Sequence, residues 1–150
     1  MMPVKRIGFL MALVFFLCSC DSVVDEYPPF VISGFSIKPG TSQTDYNIAG
    51  AEFLFKNYAR KDVVKIEMSF RIYYSDGSLP CYGDNKIAVV FSGSVKSGKE
   101  EKIIVTLDDN VQIYRDIPFI ADQILVGKIF YNDGSVWSDV TGFWQMGGIK

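Results

Sequence analysis

The amino-acid sequence predicts an antiparallel β-sandwich of about seven strands, and three observations support this fold class. Short segments in which apolar and polar residues alternate dominate the chain after residue 29, as they do in strands with one buried face. Turn residues recur at intervals of about 10 residues. No stretch shows the sustained 3.6-residue period of a helix. Together these features are typical of an immunoglobulin-like sandwich.

The strands are expected in order along the chain. The clearest covers residues 64–74, where the even positions are apolar and most odd positions are polar or charged. Residues 108–122 have mixed character and contain Pro118, so they are expected to form a crossing loop with one helical turn. The other expected strands cover residues 31–37, 51–56, 87–92 and 102–107.

Two Asp-Gly pairs mark expected hairpins. Asp76-Gly77 follows the strand at 64–74, and Asp133-Gly134 stands inside the β-rich segment 127–139. Glycine accepts a positive φ at no steric cost, which makes Asp-Gly between β-rich runs the strongest short-range hairpin signal. The sequence therefore predicts a hairpin at each pair.

Residues 1–19 have the pattern of a signal peptide. Lys5 and Arg6 precede an uninterrupted apolar run at residues 7–17, which is too short to span a bilayer. A basic start, a short apolar middle and small residues before a cleavage site describe a secretory signal. The alternatives are an ordinary secretory signal with incidental cysteines and a retained anchor helix.

The end of this segment, Leu17-Cys18-Ser19-Cys20, resembles the bacterial lipobox. In that motif a small residue precedes a cysteine that is diacylated and becomes the mature N-terminus. Cys20 is the matching cysteine, because Cys18 follows Leu17 where the motif needs a small side chain. The resemblance implies acyl chains such as palmitate on Cys20, and these would hold the protein to a membrane of the bacterial cell envelope, outside the cytoplasm.

The expected organisation is a signal peptide at 1–19, a lipidated cysteine and tether at 20–29, and a sandwich domain at 30–150. The tether is acidic and ends in two prolines, which favour extended backbone. Asp21 resembles the residue that retains lipoproteins in the inner membrane of enterobacteria, whereas acidic residues there accompany surface export in other bacteria. The choice of membrane and leaflet therefore stays open.

Charge and cysteine content exclude several classes of function. The chain has 15 basic and 17 acidic residues; loss of Lys5 and Arg6 with the signal leaves 13 basic residues and a formal charge of −4. Without a basic run, no nucleic-acid partner is expected. Cys81 would be the only free thiol, so no internal disulfide is expected.

The segment Phe70-Arg71-Ile72-Tyr73-Tyr74-Ser75-Asp76-Gly77 resembles the FxLYD module, an immunoglobulin-like repeat of bacterial envelope lipoproteins. Lys56-Asn57 matches the Asn-containing turn that precedes the long strand of that module, while Ile72 and Tyr74 depart from its Leu and Asp. Residues 127–139 are similar to the closing hairpin of small lipoproteins with that sandwich. The family is known mostly as binding or spacer modules, so the resemblance implies an interaction role and no catalytic residue.

The residues themselves indicate little catalytic chemistry. The chain has no His, which removes the commonest general base and imidazole metal ligands. Cys81 lacks an activating base, so it is interpreted as a structural side chain. Turn aspartates, including Asp108 and Asp109, lack the spacing of a calcium loop and are interpreted as solvated. We therefore expect no cofactor and no metal, and an enzyme that uses carboxylates alone is the weakest of three hypotheses.

Aromatic residues make up 15% of the chain, and this excess gives the best indication of both the core and a binding surface. The core is expected to contain Phe30, Phe35, Phe53, Phe55, Phe70, Phe91 and Phe130. A possible platform for a glycan or protein partner contains Tyr73, Tyr82, Tyr131, Trp137 and Trp144, although tyrosine and tryptophan also cover sandwich edges. The sequence thus predicts a membrane-anchored, non-catalytic interaction or scaffolding module with an envelope protein or polysaccharide partner. The alternative is a lipoprotein that binds glycan or peptidoglycan.

Overall fold

The structure is a computed structural model that describes residues 28–139. The proposed signal peptide, Cys20, most of the tether and Trp144 lie outside these residues. Within them there is no helix long and apolar enough to cross a membrane. The described chain consists of seven strands: β1 Phe30–Pro39, β2 Ala49–Asn57, β3 Val63–Tyr74, β4 Lys86–Val95, β5 Glu100–Thr106, β6 Phe119–Tyr131 and β7 Val136–Ser138.

The strands form two antiparallel sheets. One sheet has the order β1-β2-β5 and the other the order β4-β3-β6-β7. All five strand pairs are antiparallel. The expected all-β class and the expected number of strands are therefore confirmed, and each strand predicted between residues 31 and 107 is present. Four of these strands have slightly wider bounds than predicted, and β5 covers residues 100–106 instead of 102–107.

The two sheets enclose one apolar core. Phe35 of β1 meets Phe70 of β3 edge to face with 5.1 Å between ring centroids, and Phe35 stacks on Phe53 of β2 at 5.5 Å. Aromatic pairs at these distances add to the stabilisation that burial alone gives. The largest fully buried side chains are Tyr74, Phe53, Phe55, Phe70, Ile66, Ile72, Ile103, Leu107, Ile129, Val63, Val95 and Val126.

The expectation that Phe130 belongs to the core is wrong. Its ring lies on the outer face of the sheet, opposite Lys65 of β3, whose Nζ sits 3.8 Å from the ring centroid. The reason is an irregularity at Gly127, where the register with β3 shifts. Directly before Gly127 the even-numbered Ile124 and Val126 point inward, and after it the odd-numbered Ile129 and Tyr131 do. Such bulges reverse the face that an alternating pattern presents.

The two Asp-Gly turns have matching local geometry. Gly77 and Gly134 both have a φ of 83°, and the aspartate before each accepts hydrogen bonds from the backbone and hydroxyl of the serine after it. The turn at 132–135 joins β6 directly to β7, as expected. The turn at 75–78 instead opens a longer connection, because β4 starts only at Lys86.

The crossing between the sheets runs over residues 107–118. Its first part is one hydrogen-bonded turn, in which the carbonyl oxygen of Leu107 accepts from Asn110 N and Val111 N at 2.8 and 3.0 Å. The crossing ends four residues earlier than expected, since β6 begins at Phe119. Pro118 stands directly before that strand, a position where the missing backbone donor is tolerated.

The loops have different lengths at the two ends of the sandwich. We call the end with residues 40–48, 75–85 and 107–118 the long-loop end. We call the opposite end, with residues 58–62, 96–99 and 132–135, the N-terminal end, because β1 starts there with Phe30 opposite Asn57. The two proline residues before Phe30 thus connect any preceding segment to the N-terminal end.

Candidate functional site

The structure separates the residues of the expected aromatic platform. Tyr82 is 76% exposed in loop 75–85 at the long-loop end. Tyr73 is half-buried on the outer face of β3, opposite Ile120. Trp144 lies outside the described residues.

Two members of the expected platform point into the sandwich. Tyr131 is only 7% exposed and belongs to the core. Trp137 is half-buried, faces the core beside Ile129, and meets Phe30 edge to face at 5.3 Å. Both side chains thus pack against the core. Of the four platform residues that the structure describes, Tyr131 and Trp137 therefore lie on the core side of the sheet, apart from Tyr73 and Tyr82.

The long-loop end exposes a second tyrosine that the sequence did not single out. Tyr114 is 63% exposed in the crossing loop. Its loop is joined to the loop of Tyr82 by three hydrogen bonds: Gln112 N and Ile113 N both donate to the oxygen of Pro80 at 2.9 Å, and Tyr82 N donates to Gln112 Oε1 at 2.9 Å. Tyr82 and Tyr114 are therefore carried on one connected pair of loops.

A buried tyrosine of β3 holds the crossing loop through hydrogen bonds to its backbone. The hydroxyl of Tyr74 donates to the oxygen of Ile113 at 2.5 Å and accepts from Arg115 N at 3.0 Å. Its ring stacks on Phe119 with 4.9 Å between centroids. Burial raises the pKa of Tyr74, so this hydroxyl stays protonated and able to donate. The two residues that flank Tyr114 are thus both fixed to β3.

The guanidinium of Arg115 links the crossing loop to the first Asp-Gly turn. Its Nη1 lies 2.9 Å from Asp76 Oδ2 and 2.6 Å from Ser78 Oγ. Hydrogen bonds from Ser78, together with Arg115, hold the pKa of Asp76 below its usual value. This exposed pair adds little energy by itself, yet it connects two loops that already share hydrogen bonds.

A groove of about 300 Å³ runs beside the crossing loop. One wall consists of the end of β1, with Ile37, Lys38 and Pro39, and the other of residues 114–119. Its size is at the lower limit of small-ligand sites. The exposed functional groups of its lining are Tyr114, the cations of Lys38 and Arg115, and the carboxylate of Asp116.

Asp108 holds loop 40–48 in place at the same end. Its carboxylate accepts from Asn47 N at 2.8 Å, Ile48 N at 2.7 Å and Ala49 N at 3.2 Å. These backbone hydrogen bonds lower the pKa of Asp108. The sequence interpretation of Asp108 as a solvated turn residue missed this role, because its partners stand about 60 residues away in the chain.

The charges of the loops are unequal at the two ends. The long-loop end carries six carboxylates and one cation, namely Asp45, Asp76, Asp84, Asp108, Asp109, Asp116 and Arg115. The N-terminal end carries four cations and two carboxylates, namely Arg60, Lys61, Lys96, Lys99, Asp62 and Asp133. Lys38 and Lys86, at adjoining strand ends, reduce the acidity of the long-loop end without reversing it. At the strand ends that adjoin the N-terminal end, Lys56 adds one cation and Glu100 and Glu101 add two carboxylates.

Cys81 is a buried thiol in loop 75–85, directly before Tyr82. It is 6% exposed, and its Sγ lies 3.5 Å from the oxygen of Asp84. Burial, with a contribution from Asp84, raises the pKa of the thiol, which lowers its nucleophilicity at neutral pH. Residues 28–139 contain no cluster of three or more side chains suited to hold a metal ion.

Comparisons with known proteins support the fold alone. No protein-family model matches the chain, and no curated protein matches it. The chain is similar in structure to a hypothetical protein from Peptoclostridium difficile 630, with a TM-score of 0.52 and 13% sequence identity over 77% of this chain and 88% of the other. At that identity the likeness extends to the arrangement of strands and not to function.

Proposed function

We propose that this chain is a membrane-anchored lipoprotein of the bacterial cell envelope whose sandwich is a non-catalytic interaction module. The observation that carries the proposal is that the point where the chain enters the sandwich and the exposed tyrosines lie at opposite ends of it. The chain enters at the N-terminal end, where Pro29 O accepts from Tyr58 N at 2.8 Å. The exposed Tyr82 and Tyr114 lie at the other end, where an anchor at Cys20 would hold them away from the membrane.

The strand order supports an immunoglobulin-like assignment of the sandwich. β1, β2 and β5 correspond to strands A, B and E of that fold, and β3, β6 and β7 to strands C, F and G. β4 pairs with β3 in the place of strand C′. Domains of this type commonly bind partners through loops at one end, and the FxLYD resemblance implies the same class of role.

The exposed side chains favour a protein partner. Tyrosine supplies a large contact area at a low cost in conformational entropy, and it is enriched in protein interfaces. Tyr82 and Tyr114 lie on loops fixed by Pro80, Gln112 and Tyr74, so little further ordering is needed on binding. The proposed contact surface is this pair of loops.

The anchor is tested by metabolic labelling with a palmitate analogue. We expect labelled wild-type protein, loss of label in Cys20→Ala, and retained label in Cys18→Ala as the matched control. Protease treatment of intact cells then tells whether the domain faces the surface or the periplasm. An unlabelled wild-type protein would contradict the anchor.

The contact surface is tested by crosslinking in intact cells. A Tyr82→Ala/Tyr114→Ala variant should lose its crosslinked envelope proteins, whereas Val136→Ala, which removes an exposed side chain beside the N-terminal end, should retain them. Equal losses in both variants would contradict a role for the long-loop end.

A glycan partner is the second candidate, favoured by the groove beside Tyr114. Sugar rings stack on exposed aromatic faces of this kind. Co-sedimentation of the purified protein with isolated peptidoglycan, compared between wild type and Tyr114→Ala, separates this candidate from a protein partner. Sedimentation that depends on Tyr114 would favour the glycan.

A further inference from the structure

The N-terminal end of the sandwich carries cations that have no internal partner. Lys61 pairs with Asp133 and Lys96 with Asp62, each at 2.8 Å. Arg60 and Lys99 are exposed and form no ion pair with any residue from 28 to 139. The loops of this end therefore have two cations in excess of their carboxylates, Arg60 and Lys99, while Glu100 and Glu101 stand exposed at the adjoining start of β5.

An exposed aromatic ring lies at the same end of the sandwich. Tyr58 is 62% exposed, and Lys56 Nζ lies 6.0 Å from its ring centroid. Tyrosine next to basic side chains is typical of surfaces that sit at the headgroup level of a bilayer. The backbone N–H of Tyr58 donates a hydrogen bond to the oxygen of Pro29. Tyr58 therefore lies beside the point where the preceding segment leaves the domain.

We propose that Tyr58, Arg60 and Lys99 form a contact surface for the anionic phospholipid headgroups of the membrane to which the chain is anchored. This inference rests on the proposed anchor at Cys20. A tether of residues 20–29 spans at most about 35 Å when fully extended, and it joins the domain at this surface. The anchor thus keeps the cations close to the headgroups.

Distance separates the acidic end from the same membrane. The strands that run between the two ends contain 7 to 13 residues, which corresponds to about 23 to 44 Å. The Debye length is about 8 Å at physiological ionic strength, so the carboxylates of the long-loop end exert little repulsion on lipids at the opposite end. The domain would therefore stand with Tyr82 and Tyr114 directed away from the bilayer.

The tether also carries acids, and these oppose the attraction. Asp21, Asp25 and Glu26 lie between the anchor and Pro28. If they covered the basic surface, Arg60 and Lys99 would be occupied whatever the lipid composition. The experiment is therefore designed to measure the reactivity of Lys99 itself, in bilayers that differ only in charge.

The test is amine acylation of the full processed protein, followed by mass spectrometry. The protein is incubated with vesicles of phosphatidylcholine alone or of phosphatidylcholine and phosphatidylglycerol in equal parts. We expect acylation of Lys99 to slow about fivefold on the anionic vesicles, the preference that one basic side chain gains near such a surface. Lys38 and Lys86, at the far end, should react equally on both, and high salt should remove the effect.

Two variants of equal charge change provide the control. Arg60→Glu should abolish the slower acylation of Lys99, and Lys86→Glu should leave it unchanged. The proposal is overturned if Lys99 reacts at the same rate on both kinds of vesicle, whether fast or slow, or if Lys38 and Lys86 are the residues that slow. A protein that fails to associate with phosphatidylcholine vesicles contradicts the anchor, while its Lys99 on anionic vesicles still tests the surface.

Discussion

The ring of Phe30, the first residue of β1, meets the indole of Trp137 in β7 edge to face, with 5.3 Å between centroids and 78° between planes. Phe30 also stacks on Phe55 of β2 at 5.5 Å. These contacts join the first strand to the last across the two sheets. They lie at the end of the sandwich from which the N-terminal segment leaves. A force applied through that segment would therefore act first on the packed rings of Phe30, Phe55 and Trp137.

Removal of the indole should destabilise the domain. We expect Trp137→Ala to lower the free energy of unfolding by about 3 kcal/mol, because a large side chain leaves a cavity against Phe30. Urea unfolding followed by circular dichroism measures the change. Val136→Ala, in the same strand at a residue 49% exposed, should change it by about 0.5 kcal/mol or less. Similar effects of both variants would contradict a packing role for the indole.

Asn57 is a buried residue that holds two loops of the N-terminal end. Its Nδ2 donates to the oxygens of Lys61 and Val95 at 2.8 and 3.0 Å, and its Oδ1 accepts from Ala59 N at 3.0 Å. With 1% exposure, the amide has no water to replace these partners. All three of these partners of the Asn57 side chain are backbone atoms.

Asn57→Asp should lower the free energy of unfolding by about 3 kcal/mol, since a carboxylate cannot donate and would face two carbonyl oxygens in a buried site. Thermal and urea denaturation measure the loss. The matched control is Asn132→Asp at an exposed turn position, for which we expect about 0.5 kcal/mol or less. A variant at Asn57 as stable as this control would contradict the assignment of its donors.

The strands were largely predictable from sequence because their signals are local. Alternation in 64–74 identified β3, and Asp133-Gly134 located the β6–β7 hairpin. The face of Phe130 was not predictable from alternation, since the bulge at Gly127 changes the register with β3. The inward placement of Tyr131 and Trp137 follows from the same bulge and from pairing with Ile129.

The candidate site was predictable only in part, because it depends on contacts between distant residues. Tyr82 stood out as an aromatic residue near a turn. Tyr114 gained significance only when Tyr74, 40 positions earlier in sequence, was seen to hold its loop. Asp108 likewise acts on backbone amides of a loop that the sequence gives no reason to place beside it. No local pattern reports such pairs.

Tyr46 should make stability depend on pH in the alkaline range. Burial, with the hydrogen bond to Glu52 at 3.0 Å, raises its pKa from 10.0 to about 12. A raised folded-state pKa means that the neutral form contributes fully below pH 10, and that this contribution is lost as pH rises from 10 toward 12. Urea midpoints measured across this range should fall less steeply for Tyr46→Phe than for wild type. Tyr82→Phe, at an exposed position, should keep the wild-type slope.

Asp108 should make stability depend on pH in the acidic range. Backbone hydrogen bonds from Asn47 and Ile48 lower its pKa below the usual 3.8. A lowered folded-state pKa means that the contribution is complete above pH 5 and is lost as pH falls through the folded value. Asp108→Asn should therefore be less stable at pH 7 and lose less stability between pH 5 and pH 2. Asp109→Asn, one residue along, serves as the control, and an identical acid profile for both variants would contradict this role.

Tyr74 offers a way to separate the order of the crossing loop from the chemistry of its exposed surface. The Tyr74→Phe variant keeps the ring that stacks on Phe119 but leaves Ile113 O and Arg115 N without their partner. We expect a loss of about 1 to 2 kcal/mol in the free energy of unfolding and faster amide hydrogen exchange across residues 112–116. Tyr73→Phe, at a half-buried position on the outer face of the sheet, should alter neither.

If the long-loop end is the contact surface, Tyr74→Phe should also weaken partner crosslinking although Tyr82 and Tyr114 are both present, because a looser loop must be ordered on binding. Unchanged exchange in this segment would show that the hydroxyl of Tyr74 does not hold the loop.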